Sequence, residues 1–102
     1  INLKDGQPTV AVARDRLDAA VTNHLLQSTE GLVLIHGYGS SGQGGLIKEM
    51  VHERLRHLKY DGTIKDFVPG EEIGIAYPGR LPESFRPTRA DAGNAGITVV
   101  KL

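Results

Sequence analysis

The sequence predicts a single two-layer α/β sandwich, and three observations carry that expectation. Apolar residues recur at helical spacing over two stretches, residues 10–27 and 46–58. Two short runs read as strands: LVLI at 32–35 is uninterrupted and apolar, as a strand covered on both faces is, and ITVV at 97–100 is rich in β-branched residues, as a central strand is. The length, 102 residues, gives room for one core and no second one.

Residues 1–4, INLK, alternate apolar and polar as a short first strand does. DGQPT follows as a turn, and Thr9 stands where its hydroxyl can accept from the first free amides of a helix. In that helix Val10, Ala13, Leu17, Val21 and Leu25 form one stripe, with Arg14, Asp15 and Asp18 opposite. His24 sits on its flank. LVLI makes the second strand. Leu46, Ile47, Met50, Val51, Leu55 and Leu58 then trace a second helix, closed near KYDG by Gly62 in a left-handed conformation. TIKDFV, residues 63–68, alternates as a third strand.

Residues 69–95 hold Pro69, Pro78, Pro82 and Pro87 with several glycines and no sustained period, so a long mobile loop is expected there. GITVVKL at 96–102 supplies the last, central strand. The order is β-α-β-α-β-β without an internal repeat, and right-handed crossovers place both helices on one face of the sheet.

Twelve Lys and Arg balance twelve Asp and Glu, which excludes a protein that coats polyanions by bulk charge but allows a local basic patch. Cysteine is absent, so there is no disulfide framework or thiolate metal site, and a reducing, cytoplasmic setting is expected. No stretch has membrane-spanning length and no signal peptide is visible, so no membrane partner is expected.

Between the second strand and second helix lies HGYGSSGQGG, residues 36–45. Gly37 and Gly42 have the spacing of an ATPase phosphate loop, but Gln43 and Gly44 replace its lysine and hydroxyl residue. Gly37, Gly39 and Gly42 fit a dinucleotide pattern, yet Asp66 lies inside its strand rather than at the end. An α/β-hydrolase would need a G-x-S-x-G elbow, which the chain lacks.

IHGYGSSGQGGLIKEMVHERL resembles the His-Gly-x-Gly signature and second helix of the small MutS-related (Smr) domain. GNAGITVVKL resembles that family's closing glycine turn and final strand, and INLKDGQPTVAVARDRLDAAV occupies the place of its first strand and helix. The resemblance implies a fold like the C-terminal domain of translation initiation factor three, with a mixed four-stranded sheet in the order 1-2-4-3. It also implies binding to DNA or RNA, structured or single-stranded; a larger repair or translation assembly is the setting of the alternative, a protein-interaction module. Several family members nick nucleic acid, a reaction that would use magnesium or manganese.

On this reading a phosphate lies over Gly37, Tyr38, Gly39, Ser40, Ser41, Gly42, Gln43, Gly44 and Gly45, where the first helical amides lack internal partners. Lys4 and Lys48 supply charge, and Tyr38 a stacking face. Lys48, Arg54, Arg56 and Lys59 against Glu49 and Glu53 give the second helix a modest positive excess. For cleavage, His36 is the candidate acid or base and Asp5 the candidate carboxylate.

The family's first motif, L-D-L-H-G or L-D-L-R-G, reads INLKDG here, with Asn2 at the acidic position and Lys4 at the histidine or arginine position. An amide cannot carry the charge that would ligate a metal strongly, so cleavage is weakened more than binding. His52 and His57 are five apart, about 140° around a helix, and cannot share one zinc ion; no metal ligands are assigned. Three functions remain open: a nucleic-acid-binding domain with or without nicking, a non-catalytic protein-interaction module using residues 69–91, and a site for a small phosphorylated ligand.

Overall fold

The computed structural model describes residues 1–38 and 44–102. Helix α1 (Val10–Leu26) starts where Thr9 Oγ1 accepts from the Val12 amide at 3.2 Å, the cap expected from the sequence. It buries Ala13, Leu17, Ala20 and Val21. Strand β1 (Gly31–Ile35) leads to helix α2 (Gly44–Tyr60), beyond which Gly62 takes the left-handed conformation, φ +83°, as expected. Strand β2 (Asp66–Pro69) and strand β3 (Ile97–Lys101) complete the sheet.

Among the described residues the sheet has three strands in the order β1-β3-β2, with β3 antiparallel to both neighbours. Val99 pairs with Val33 on one side and Val68 on the other, and Thr98 with Leu34 and Pro69. The final strand is therefore central, as its apolar run requires.

The expected first strand is reduced to one isolated parallel bridge between Asn2 and Ile35. Ile35 N–H donates to the Ile1 carbonyl and Leu3 N–H to the Ile35 carbonyl, both at 2.8 Å. Pairing stops there because the chain turns at once, closed by the Gln7 amide on the Lys4 carbonyl at 3.1 Å. Strand β2 likewise starts later than expected. The backbone amide and hydroxyl of Thr63 both donate to Asp61 Oδ1, at 2.9 and 2.6 Å, and hold residues 61–63 as a turn.

Both helices cover one face. Leu17 and Val21 of α1 meet Val51, Leu55 and Leu58 of α2 over Leu32, Leu34, Phe67 and Val100. Residues 69–95 cover the other. Far from lacking structure, this segment forms two 3-10 turns, Gly70–Glu72 and Pro78–Arg80, and buries Ile73 and Leu81 against Val68, Ile97 and Val99. The fold therefore has a third layer.

Polar pins hold that layer in place. Arg80 Nε donates to Asp66 Oδ2 at 3.0 Å and its Nη2 to the Phe67 carbonyl at 2.9 Å, while Lys59 Nζ lies 3.1 Å from Asp66 Oδ1. Together they occupy the outer edge of β2, where an unpaired strand would otherwise offer hydrogen bonds to another chain. No described helix is long and apolar enough to cross a membrane.

Candidate nucleic-acid interface

The site is built where β1 ends. The amides of His36 and Gly37 both donate to the Gly96 carbonyl at 3.0 Å, which ties the start of the glycine loop to the turn before β3. The two glycine motifs of the sequence thus meet in space. Gly37 has φ +82°, so the backbone calls for glycine, and a Cβ there would stand 3.1 Å from Cδ of the exposed Lys4 side chain. The Lys4 stem lies against Gly37 with the residue exposed.

Tyr38 comes next, 66% exposed. Its Cε2 and Cζ atoms lie 3.3 and 3.4 Å from the position a Gly96 Cβ would take. The ring therefore rests on bare backbone and keeps a face open. Gly39, Ser40, Ser41, Gly42 and Gln43 lie outside the described residues. Gly44 and Gly45 open α2, and Lys48 follows with its Nζ 2.8 Å from Glu71 Oε2.

His36 is fully buried. Its Nδ1 lies 2.9 Å from the Gly37 carbonyl oxygen and its Nε2 2.8 Å from Thr98 Oγ1. The same hydroxyl lies 3.1 Å from His52 Nε2, and the two imidazoles meet edge to face at 5.7 Å. Burial pushes both histidines below the usual imidazole range; for His52, the neighbouring His36 and Lys48 act in the same direction. Burial favours protonation of the Glu71 carboxyl, but the Lys48 hydrogen bond, a backbone hydrogen bond and the charge of Lys48 together outweigh it and hold Glu71 below the usual carboxylate range.

Of the residues expected from sequence, the structure brings Lys4, Gly37 and Tyr38 together at the Gly96 turn. Asp5 is engaged otherwise: its carbonyl accepts from Arg16 at 2.7 Å, and its exposed carboxylate is not among the hydrogen-bond partners of His36. Asn2 Oδ1 accepts from the Lys4 amide at 3.0 Å. A hard divalent cation needs several oxygen ligands, at least some charged. Among the described residues no three His, Asp or Glu converge, and Glu71 is paired with Lys48, so these side chains do not by themselves form a closed metal cage.

Sequence reasoning passed over Thr98, Glu71 and the inward contact of His52. Thr98 did leave a signal, as the one hydroxyl within the ITVV run. Glu71 left none, because its partner lies across the sheet from a segment without periodicity.

A small sheet with a helical layer, and a glycine-rich stretch of sequence between β1 and α2, define the class: the chain belongs to the Smr domain family, whose model matches residues 5–102. Among solved structures it is similar to the Smr domain of Thermus thermophilus MutS2, with 26% identity and a TM-score of 0.63 over 100% of this chain and 94% of the other. No curated protein matches the chain.

Proposed function

We propose that this Smr domain binds nucleic acid through residues 37–45, with Lys4 and Lys48 meeting phosphate and Tyr38 stacking on a base. The observation that supports this most is Tyr38 itself, an aromatic ring seated on the Gly96 backbone and 66% exposed beside a glycine loop and a lysine. Every base has a π-face, so such a platform accepts single strands without regard to sequence. The sequence leads into the N-terminus of α2, where amides without intrahelical partners and the helix dipole favour an anion.

Binding is better supported than nicking. A proton shuttle must reach its substrate, and the His36 ring is buried with both nitrogens engaged. We read His36 as a residue that shapes the loop and Asp5 as a surface carboxylate. The four-stranded order of the initiation-factor fold is read from the Asn2–Ile35 bridge alone, as a fourth strand cut short.

A fluorescent single-stranded oligonucleotide titrated at several salt concentrations tests this. Affinity should fall as salt rises, because phosphate contacts release counterions, and Tyr38→Ala should weaken it about fivefold to a hundredfold. Affinity indifferent to salt and to Tyr38→Ala would remove the assignment.

A second reading has its own observation. Ile75 and Tyr77, 84% and 67% exposed on the covering segment, suit a protein-docking surface in a larger repair or translation assembly. It gains if oligonucleotides fail to bind.

A further inference from the structure

On the helical face of the sheet, at the end where the glycine loop leaves, three polar side chains line up: His52 from α2, Thr98 from β3 and His36 just beyond β1. With both rings neutral, their hydrogens follow from donor and acceptor chemistry. A carbonyl oxygen only accepts, so the 2.9 Å contact with the Gly37 carbonyl requires a hydrogen on His36 Nδ1. A neutral imidazole protonated there offers Nε2 as an acceptor, so the Thr98 hydroxyl donates to it across 2.8 Å. With its one hydrogen committed, Oγ1 can only accept at 3.1 Å from His52, which therefore carries its hydrogen on Nε2. The chain runs one way, from His52 through Thr98 and His36 to the Gly37 carbonyl.

That carbonyl belongs to the peptide joining Gly37 to Tyr38. The backbone bonds to Gly96 fix the amides of residues 36 and 37, whereas the described bond to the Gly37 carbonyl comes from the His36 side chain. We propose that His52 and Thr98 are positioning residues for the nucleic-acid site, holding His36 in the orientation that sets the Gly37–Tyr38 peptide and so aims the stacking ring over Gly96. This rests on the nucleic-acid reading given above.

The relay also has a preferred place for an added proton. A proton on His36 Nε2 would set two donors against Thr98 Oγ1, so that either the hydroxyl hydrogen must find another acceptor or His52 must move its hydrogen to Nδ1 and accept instead. A proton on His52 Nδ1 leaves every bond of the chain in its present direction. The lowered basicity of both rings agrees with a relay that is neutral near pH 7.

Nitrogen-15 imidazole spectra of the free protein and oligonucleotide titrations test this together. The expected result is His36 with its hydrogen on Nδ1 and His52 with its hydrogen on Nε2. Thr98→Val and His52→Phe, which remove the hydroxyl and the ring N–H, should shift the Tyr38 amide signal and weaken binding about tenfold. Thr98→Ser and His52→Gln, which keep a donor, should restore both. Should Thr98→Val fail to fold, the His52 pair decides.

Hydrogen on His36 Nε2, or full binding by Thr98→Val and His52→Phe with the tautomers as assigned, would overturn the relay while leaving the nucleic-acid reading intact. A wild-type chain that binds no oligonucleotide would overturn that reading and the positioning role with it, even with the tautomers as assigned.

Discussion

Lys48 Nζ lies 2.8 Å from Glu71 Oε2, so a lysine at the start of α2 is held by a carboxylate from the segment on the far face of the sheet. The pair is partly exposed, and pairs of that kind contribute at most about 1 kcal/mol to stability. Its larger effect falls on any phosphate approaching the loop, which must compete with Glu71 for the same cation.

Glu71→Gln should therefore tighten oligonucleotide binding several-fold, and Lys48→Gln should weaken it and reduce the salt slope by about one. Anisotropy titrations at three salt concentrations measure both. Equal slopes for wild type and Lys48→Gln would show that Lys48 meets no phosphate.

The histidine pair sets a pH dependence. Both rings have folded-state values below the usual 6.5, so the unfolded chain binds more protons in the window beneath that value. Stability is complete above about pH 6.5 and is lost as pH falls through the depressed folded values. The charged groups acting on this pair are Lys48, Glu71 and Arg56, of which only Glu71 opposes the shift. Thermal melts from about pH 7.5 down to pH 5 should show a falling midpoint, less steep in His52→Gln. A midpoint that rises on acidification contradicts the buried, neutral relay.

The covering segment should behave as core. Leu81→Ala and Ile73→Ala each remove a side chain buried against Val68, Ile97 and Val99, and large-to-small changes of this type cost about 2–5 kcal/mol. Urea denaturation gives the value directly. A loss under about 0.5 kcal/mol, the range of ordinary surface substitutions, would mean the third layer adds nothing to the fold.

Two glycines separate stability from binding. A Cβ at Gly70 would run into the Asn94 carbonyl, so Gly70→Ala should lower the melting temperature strongly. A Cβ at Gly96 would stand 3.3 Å from the exposed Tyr38 ring, which has room to give, and 3.2 Å from Asn94 Oδ1, which accepts from the Gly96 amide at 2.9 Å. Gly96→Ala should therefore cost less stability than Gly70→Ala but bind oligonucleotide as poorly as Tyr38→Ala. Unimpaired binding by Gly96→Ala would show that the ring's seat does not matter.

Much of this was legible in the sequence. Thr9, the Ala13–Leu17–Val21 stripe, Gly62 and the central ITVV strand all appear where local patterning puts them, because each depends on neighbours in the chain. The third layer was implied without being recognised. Runs such as LVLI and ITVV need cover on both faces, two helices cover only one, and residues 69–95 were the remaining chain to do it. What escaped was long-range. Glu71 reaches Lys48 across 23 positions and His36 reaches Thr98 across 62, and no spacing rule reports such pairs. The Asn2 and Lys4 departures from the family motif were visible, but the contact of Arg16 with the Asp5 carbonyl was not.

The most direct test is an amide-by-amide nuclear magnetic resonance titration of the labelled chain with a short single-stranded oligonucleotide. The largest changes should fall on residues 37–45, Lys4, Lys48 and Gly96, and should fade as salt is raised. Changes confined to Ile75, Tyr77 and their neighbours, or no changes at all, would contradict a nucleic-acid site at the glycine loop.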